Sequence, residues 1–290
     1  MNHKLVDLAA GLYFVATPIG NSRDITLRAL DILASADVLV AEDTRTLRRL
    51  MDIHGVSMAK RPLISYHDHS KTKVRKRLIE YIKCGKSVAY APEAGTPLIA
   101  DPGYNLSKET SEAGYLITAV PGSSAVLSAL TLAGLPTDSF FFGGFLPAQK
   151  TARRARLQNL GNMQSTLVFY ESPKRLASML RDARDTLGRD RTAAYCREMT
   201  KKFEEIRRGS LSALYDHVVD RSIKGEVVVV INRAEKSSID EEQLSLDLRK
   251  ALKGMSLRDA SEAVSQAHGL PRRQIYRKAL ELAKDTNWKI

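Results

Sequence analysis

The sequence predicts an α/β protein with two α/β domains and a small all-α C-terminal extension. Short runs of β-forming residues alternate with helix-length segments through most of the chain. A Gly-Leu-Pro-Thr-Asp stretch at 134–138 interrupts this alternation, and the last fifty or so residues show no strand pattern. We therefore predict domains at 1–134, 135–235 and 240–290.

The first domain is predicted to contain a parallel sheet, because strands and helices alternate at short spacing. A helix is expected at Ser123–Ala133, begun by serines and ended at Gly134 and Pro136. The expected strands are Leu12–Ala16, Val38–Ala41, Leu63–Tyr66, Ser87–Ala91 and Tyr115–Val120. Ligands of open α/β sheets bind beyond the carboxyl ends of the strands, so the loops there are the first candidates for a site.

A second α/β pattern follows, with a basic helix at Thr151–Leu160 and a helix that opens at Pro173. Its expected strands are Phe140–Phe142, Thr166–Tyr170, Thr192–Cys196 and Val227–Ile231. The last of these is uniformly apolar, which is typical of a strand buried on both faces. After Arg233 the polar run AEKSSIDEEQ predicts a linker.

The C-terminal extension is predicted to hold two helices joined by a turn at His268–Pro271. Ser256 is a candidate cap for the first helix, from Leu257 to about Ala267. In the second helix, Ile275, Ala279 and Leu280 are expected inward, and the outward positions are Arg272, Arg273, Arg277 and Lys278. This pattern is typical of a helix-turn-helix, with a plain helical hairpin as the alternative.

Positive charge is concentrated in three segments. The chain has 45 Lys and Arg against 33 Asp and Glu, a net charge of +12. The segment Asp43–Cys84 contains eleven Lys and Arg and four Asp and Glu. Ser139–Tyr170 contains four Lys and Arg and no acidic residue, and Arg249–Lys278 contains eight Lys and Arg and two Asp and Glu. One such segment alone is compatible with a solvated helix face, but three together indicate a phosphate-backbone partner. The presumed ligand loops hold little of this charge, so we expect a nearly neutral cleft.

The composition indicates a cytoplasmic protein. Cys84 and Cys196 lie far apart and in no metal-ligand spacing, which is typical of a reducing compartment. No apolar run approaches the ~20 residues that cross a bilayer. The N-terminal stretch lacks the pattern of a signal peptide, so we expect no leader.

Three loops that contain glycine and proline follow predicted strands of the first domain, at 16–21, 91–103 and 120–125. Such loops fix unusual backbone conformations and let a ligand approach main-chain N–H and C=O groups. Each loop alone could be an ordinary turn. Three at successive strand ends predict a site for a nucleoside or amino-acid moiety.

Several motifs of known chemistry are missing from the sequence. It has no G-x-G-x-x-G, P-loop or G-x-S-x-G pattern, which argues against a dinucleotide dehydrogenase, a P-loop NTPase and a serine hydrolase. His67-Asp68-His69 lacks a third ligand, so we predict a polar loop there and no metal site.

A series of short motifs runs in order from about residue 12 to 232. They are Thr17–Asn21, Asp24–Thr26, Arg28–Leu30, Ala41–Arg45, His67–His69, Ala94–Pro97, Asp101–Gly103, Pro121–Gly122, Gly144–Pro147, Phe169–Pro173, Arg175, Arg197–Lys201 and Gly225–Glu226. Together they resemble the tetrapyrrole (corrin/porphyrin) methylase superfamily, and within it the RsmI-type ribosomal RNA small subunit methyltransferases. The sequence departs from the family at Pro92-Glu93, where Ser-Asp is usual.

The resemblance implies a homodimer that binds S-adenosylmethionine in a cleft between two α/β domains. It also implies 2′-O-methylation of cytidine 1402 of 16S rRNA, in the decoding region of the small ribosomal subunit. The loops and the resemblance together assign the following cofactor-binding residues: Thr17, Pro18, Ile19, Gly20, Glu93, Ala94, Gly95, Thr96, Pro97, Asp101, Pro121, Gly122, Ser123, Ser124, Tyr170 and Glu171.

A ribose hydroxyl is a poor nucleophile at neutral pH, so an acceptor for its proton is expected nearby. Asp43, Glu171 and Glu198 are the catalytic candidates, because each lies at a predicted strand end with an arginine close in sequence. An arginine–carboxylate pair that holds a loop is the alternative for each. The predicted substrate contacts are Arg45, His67, His69, Lys150, Arg153, Arg154, Arg175, Arg197, Lys201, Arg272 and Arg273.

Two other functions remain open from the sequence. A tetrapyrrole or cobalt-precursor methyltransferase shares the first two domains but has no need of the basic extension. A non-enzymatic regulator would read DNA with the extension and sense a ligand with the α/β domains.

Overall fold

The computed structural model describes residues 2–67, 72–234, 241–268, 270 and 272–285. The chain divides between residues 233 and 234 into two compact units, and each is described by itself. His69, a predicted substrate contact, lies outside the described residues, as do Gly269 and Pro271 of the predicted turn. In the described part of the chain, no helix combines the length and apolar character that crossing a bilayer requires.

The first unit begins with a sheet in which all strand pairs are parallel, as predicted. Its strands are β1 (Gly11–Val15), β2 (Val38–Ala41), β3 (Leu63–Ser65), β4 (Ser87–Ala91) and β5 (Leu116–Val120). They are ordered β3-β2-β4-β1-β5. The accompanying helices are α1 (Leu27–Ser35), α2 (Thr44–Ile53), α3 (Thr72–Lys83), α4 (Tyr104–Glu112) and α5 (Ala125–Ala133). Separate clusters of buried side chains form on the two faces, so the central strands contain few polar residues.

The second sheet of this unit mixes parallel and antiparallel pairs. Its strands are β6 (Phe140–Phe145), β7 (Thr166–Glu171), β8 (Thr192–Arg197), β9 (Glu205–Ser210) and β10 (Val227–Ile231). They are ordered β6-β7-β10-β8-β9; only β6 and β7 pair in parallel. The helices after β6 are α6 (Lys150–Leu160), α7 (Leu176–Leu187) and α8 (Leu211–Val218).

Helix α5 joins the two sheets. Ser124 caps it by accepting a hydrogen bond from the N–H of Leu127, and Gly134 ends it in the left-handed conformation, as the sequence predicts. Its apolar face packs on the second sheet, where Leu130 lies in one buried cluster with Val228 and Val230. The last helix of the predicted first domain therefore covers a face of the second sheet and fixes the two sheets against each other.

The C-terminal unit holds three described helices rather than the predicted two. They are α9 (Glu241–Leu252), α10 (Leu257–His268) and α11 (Arg272–Asp285). The linker predicted after Arg233 is therefore wrong from Glu241 onward. Ser256 caps α10 through the N–H of Asp259. Ile275 and Ala279 are buried with residues of α9 and α10, but Leu280, which we expected inward, is 37% exposed.

Candidate functional site

A cleft of about 480 Å³ lies between the two sheets of the first unit, as the resemblance implies. Nine predicted cofactor residues line it: Ile19, Glu93, Ala94, Gly95, Thr96, Asp101, Ser124, Tyr170 and Glu171. One wall comes from loops after strands of the first sheet, and the other from strand ends of the second. We call these the loop wall and the strand wall.

The loop wall is held together by main-chain hydrogen bonds. Thr17 and Gly95 exchange two of them, with N···O distances of 2.9 and 3.0 Å. Thr96 Oγ1 donates to the carbonyl of Ser123 at 3.0 Å, which adds the third loop. Gly95 has φ +82, a conformation that other residues rarely adopt. The three loops singled out in the sequence therefore form one continuous surface.

The other predicted cofactor residues, Thr17, Pro18, Gly20, Pro97, Pro121, Gly122 and Ser123, do not line the cleft. Thr17, Gly20, Gly122 and Ser123 support its walls. A Cβ on Gly20 would lie 2.5 Å from Oγ1 of Thr200, and a Cβ on Gly122 would lie 2.9 Å from that of Ala16. The hydroxyl of Thr200 also accepts from the N–H of Asn21 at 3.0 Å. The first loop therefore contacts the connection between β8 and β9 of the second sheet.

The strand wall contains Tyr170 and Glu171 at the end of β7. The side chain of Glu171 accepts from the N–H of Ser172 at 2.8 Å and lies 3.2 Å from Arg175. Glu171 is 3% exposed, and this burial raises the pKa of its carboxyl. Burial, with the negative charges of Asp101 and Glu226, raises the pKa of Tyr170 to about 12.

The catalytic candidate Asp43 does not line the cleft. Its carboxylate caps α2 and is held by Arg45, with an N···O distance of 2.8 Å to the guanidinium. Hydrogen bonds from that guanidinium and from the Arg45 N–H lower the pKa of Asp43 to about 2. The preceding residue, Glu42, does line the cleft and accepts from the N–H of Glu93 at 3.3 Å.

The third candidate, Glu198, lies just behind the strand wall. Its carboxylate accepts from the N–H of Glu226, and Lys201 Nζ bridges it to the Glu226 side chain at 3.0 and 2.9 Å. The Glu226 N–H and then Lys201 lower the pKa of Glu198. A Cβ on Gly225 would overlap this carboxylate, so only glycine is accommodated beside it.

The predicted substrate contacts divide into exposed and internally paired side chains. Lys150 and His67 are exposed in the first unit; Arg272 and Arg273 are exposed on α11, where Arg272 lies 3.3 Å from Glu262. Arg45 is exposed but paired with Asp43. The remaining basic residues also have acidic partners: Arg153 and Arg154 with Asp182, Arg175 with Glu171, Arg197 with Glu205, and Lys201 with Glu198 and Glu226.

Arg153 cannot present its charge to a substrate in this structure. It is 4% exposed, and its guanidinium lies 2.5 Å from Asp182, which is fully buried. It also donates to the carbonyl of Ala148 at 2.9 Å. The prediction that Arg153 contacts substrate is therefore wrong, because the residue fixes α6 to α7 and to the loop before α6.

The lining of the cleft is more acidic than the nearly neutral surface that we expected, although Arg175 and Lys201 pair with two of its carboxylates, Glu171 and Glu226. Its described lining includes five carboxylates and no lysine or arginine. The lining residues that we did not assign from the sequence are Glu42, Ile99, Ala100, Ala125, Phe145, Ser172, Pro173, Met199, Gly225, Glu226, Val227 and Val228. Several of these residues lie in the motifs Gly144–Pro147, Phe169–Pro173 and Gly225–Glu226. Membership of those motifs was the sequence signal that could have identified them as cleft residues.

Comparisons with known proteins agree with this architecture. The family model of the tetrapyrrole (corrin/porphyrin) methylases matches residues 11–215, and that of the RsmI C-terminal HTH domain matches residues 239–283. A structure of similar fold is a uroporphyrin-III C-methyltransferase from Thermus thermophilus complexed with S-adenyl homocysteine. Its TM-score is 0.52 at 16% identity, over 76% of this chain and 96% of that one.

Two curated relatives are each named ribosomal RNA small subunit methyltransferase I. The protein from Mesorhizobium japonicum is 43% identical over 97% of this chain and 94% of its own length. The protein from Pseudomonas aeruginosa is 40% identical over 94% of this chain and 98% of its own length. By these similarities, the chain belongs to the ribosomal RNA small subunit methyltransferase I family of the tetrapyrrole methylases.

Proposed function

We propose that the protein transfers a methyl group from S-adenosylmethionine to the 2′-oxygen of a cytidine, position 1402 of 16S rRNA in the small ribosomal subunit. We further propose that it acts in the cytoplasm as a homodimer. The names of its relatives and its family membership support the reaction class. Within the structure, the acidic cleft between the two sheets is the observation on which the proposal depends.

The cleft residues match the chemistry of this cofactor. The methyl donor carries positive charge on its sulfonium and its ammonium group, and the described cleft lining is rich in carboxylates without a lysine or arginine. Apolar side chains such as Ile19, Ala125 and Val228 offer contacts for an adenine ring. Gly95 lines the cleft without a side chain, and a Cβ there would lie 3.4 Å from Ile19, so glycine keeps this part of the cleft open.

When bound, the cofactor supplies a methyl carbon activated by sulfonium, so the protein's main task is alignment of the incoming oxygen. We propose Glu171 as the acceptor for the ribose proton, because among the three catalytic candidates it is the one that belongs to the lining of the cleft, with its carboxylate buried behind that lining. Its raised pKa makes it a better proton acceptor than an ordinary glutamate. Asp43 and Glu198 do not line the cleft and have lowered pKa values, so we propose that they hold their loops through Arg45 and Lys201.

We propose that rRNA docks outside the cleft. Exposed basic residues in the first unit, such as Lys150, and on α11 of the C-terminal unit would contact phosphates. The domain division into 1–134, 135–235 and 240–290 remains part of this proposal, with the third segment assigned to docking.

Labelled S-adenosylmethionine tests the reaction. The protein is incubated in parallel with unmethylated small ribosomal subunits and with a tetrapyrrole precursor. Label in the 2′-O-methyl group of an rRNA cytidine supports the proposal. Label in the tetrapyrrole would indicate the alternative methyltransferase, and label in neither would favour the ligand-sensing regulator.

A further inference from the structure

Phe145 is a large aromatic residue that remains exposed at the cleft. It lies at the end of β6, the edge strand of the second sheet, and lines the cleft while 57% exposed. Burial of an aromatic ring is favourable, and this ring is exposed where it lines the cleft, so it is available to stack with a ligand there.

The backbone beside Phe145 is shaped to place this ring. The pairing of β6 with β7 shifts register between Phe142 and Phe145, across two glycines. A Cβ on Gly143 would overlap the Phe169 ring, and Gly144 has φ +61. A bulge of this kind redirects the following side chain. Replacement of either glycine would disturb the placement of Phe145.

The ring is also supported from behind. Phe145 is the register partner of Tyr170, and their ring centroids lie 5.7 Å apart in an edge-to-face arrangement. Phe142 contacts the same tyrosine at 4.9 Å. The next residue of β7, Glu171, points to the opposite face of the sheet, because successive side chains of a strand alternate. The Phe145 ring therefore shares its face with Tyr170 and Phe142.

The charge of the cleft restricts what can stack there. The carboxylates of its lining repel phosphate, whereas a nucleobase is neutral and has a flat π-face. RNA-binding proteins commonly stack splayed-out bases on aromatic side chains. The exposed ring and the acidic surroundings therefore favour a base over the RNA backbone.

We propose that Phe145 is the stacking platform for the base of the target nucleotide at the cleft. This inference rests on the proposed function and adds the residue that recognises the base. A second copy of this chain covering Phe145 is the competing occupant, and the experiment below includes it as an outcome.

The test compares three variants with the wild-type protein. Phe145→Leu keeps apolar bulk without the π-face, and Phe145→Tyr keeps the ring. Phe140→Leu is the matched control, because Phe140 is 43% exposed on the same strand but does not line the cleft. We measure kcat/KM with unmethylated small ribosomal subunits, S-adenosylmethionine affinity by calorimetry, and oligomeric state by sedimentation.

We expect Phe145→Leu to lower kcat/KM at least about fivefold, with cofactor affinity and oligomeric state unchanged. Phe145→Tyr and Phe140→Leu should stay within about twofold of the wild type. An unchanged kcat/KM in Phe145→Leu overturns the proposal, as does a parallel loss of cofactor affinity or a shift in oligomeric state. If the wild-type protein itself neither binds the cofactor nor labels rRNA, the proposed function fails, and this inference with it.

Discussion

The cleft and the C-terminal helices differ in the sign of their charge. The described lining of the cleft has five carboxylates and no basic side chain. Helix α11 exposes Arg273 and Arg277 on the side opposite its buried Ile275 and Ala279, and Arg272 is exposed beside Glu262. The chain as a whole has a net charge of +12, yet the lining of its cleft is rich in carboxylates.

This difference shows that the net charge of a chain does not predict the charge of its binding site. An acidic cavity attracts a cationic small molecule, whereas exposed arginines attract a polyanion. We infer that methyl-donor binding and rRNA docking are separable.

Removal of residues 240–290 is expected to have the largest effect. We expect rRNA binding to weaken on the order of 100-fold or more, because many phosphate contacts are lost together. Cofactor affinity should be unchanged, since the buried clusters of the two sheets come from residues before 234. Calorimetry with S-adenosylmethionine and filter binding with small-subunit rRNA give the two affinities. Equal losses of both would contradict the separation.

Gly95→Val is expected to produce the reverse pattern. A β-branched residue at φ +82 is strained and would displace the loop wall, so we expect cofactor affinity to fall roughly 10- to 100-fold. Filter binding of rRNA should change little. Gly55→Val is the matched control, because Gly55 also has positive φ, +67, but a Cβ there meets nothing within 4 Å. If both variants lose cofactor affinity equally, general destabilisation is the cause.

Much of the first sheet was predictable from sequence because its three central strands, β1, β2 and β4, are short apolar runs buried on both faces. The predicted and observed bounds coincide for Val38–Ala41 and Ser87–Ala91. Strand Glu205–Ser210 was missed, since it is polar and lies at the edge of the second sheet, where burial leaves little pattern. Helix Glu241–Leu252 was mistaken for linker at its acidic start.

The candidate site was predictable only in part, and for a similar reason. Gly95 was predicted because a glycine-containing loop directly after a strand can be recognised from the local sequence alone. Phe145 and Glu226 reach the same cleft from the other sheet, and their position depends on how the two sheets pack. Arg153 was misassigned because its partner, Asp182, is 29 residues away and the burial of both depends on tertiary structure.

A smaller effect is expected from Arg272→Ala combined with Arg273→Ala. Both side chains are exposed on α11, so we expect rRNA affinity to fall about tenfold and the salt dependence of binding to decrease by about one unit per arginine. Arg189→Ala combined with Arg221→Ala removes the same charge from exposed positions outside the three basic segments. Equal losses in the two double variants would mean that net charge, not α11, governs docking.

The smallest expected effect concerns pH and the cleft's own charge. Burial raises the pKa of Glu171 above its usual 4.5, against the opposing influence of the Ser172 N–H and Arg175. Its carboxylate is therefore neutralised at a higher pH than that of an ordinary glutamate, which removes one of the cleft's negative charges. As pH falls through this raised pKa, affinity for S-adenosylmethionine should drop by about two- to fivefold. Calorimetry across this pH range should show the decrease in the wild type and in Glu112→Gln, an exposed control, but not in Glu171→Gln. A decrease that persists in Glu171→Gln would assign the acidic character of the cleft to its other carboxylates.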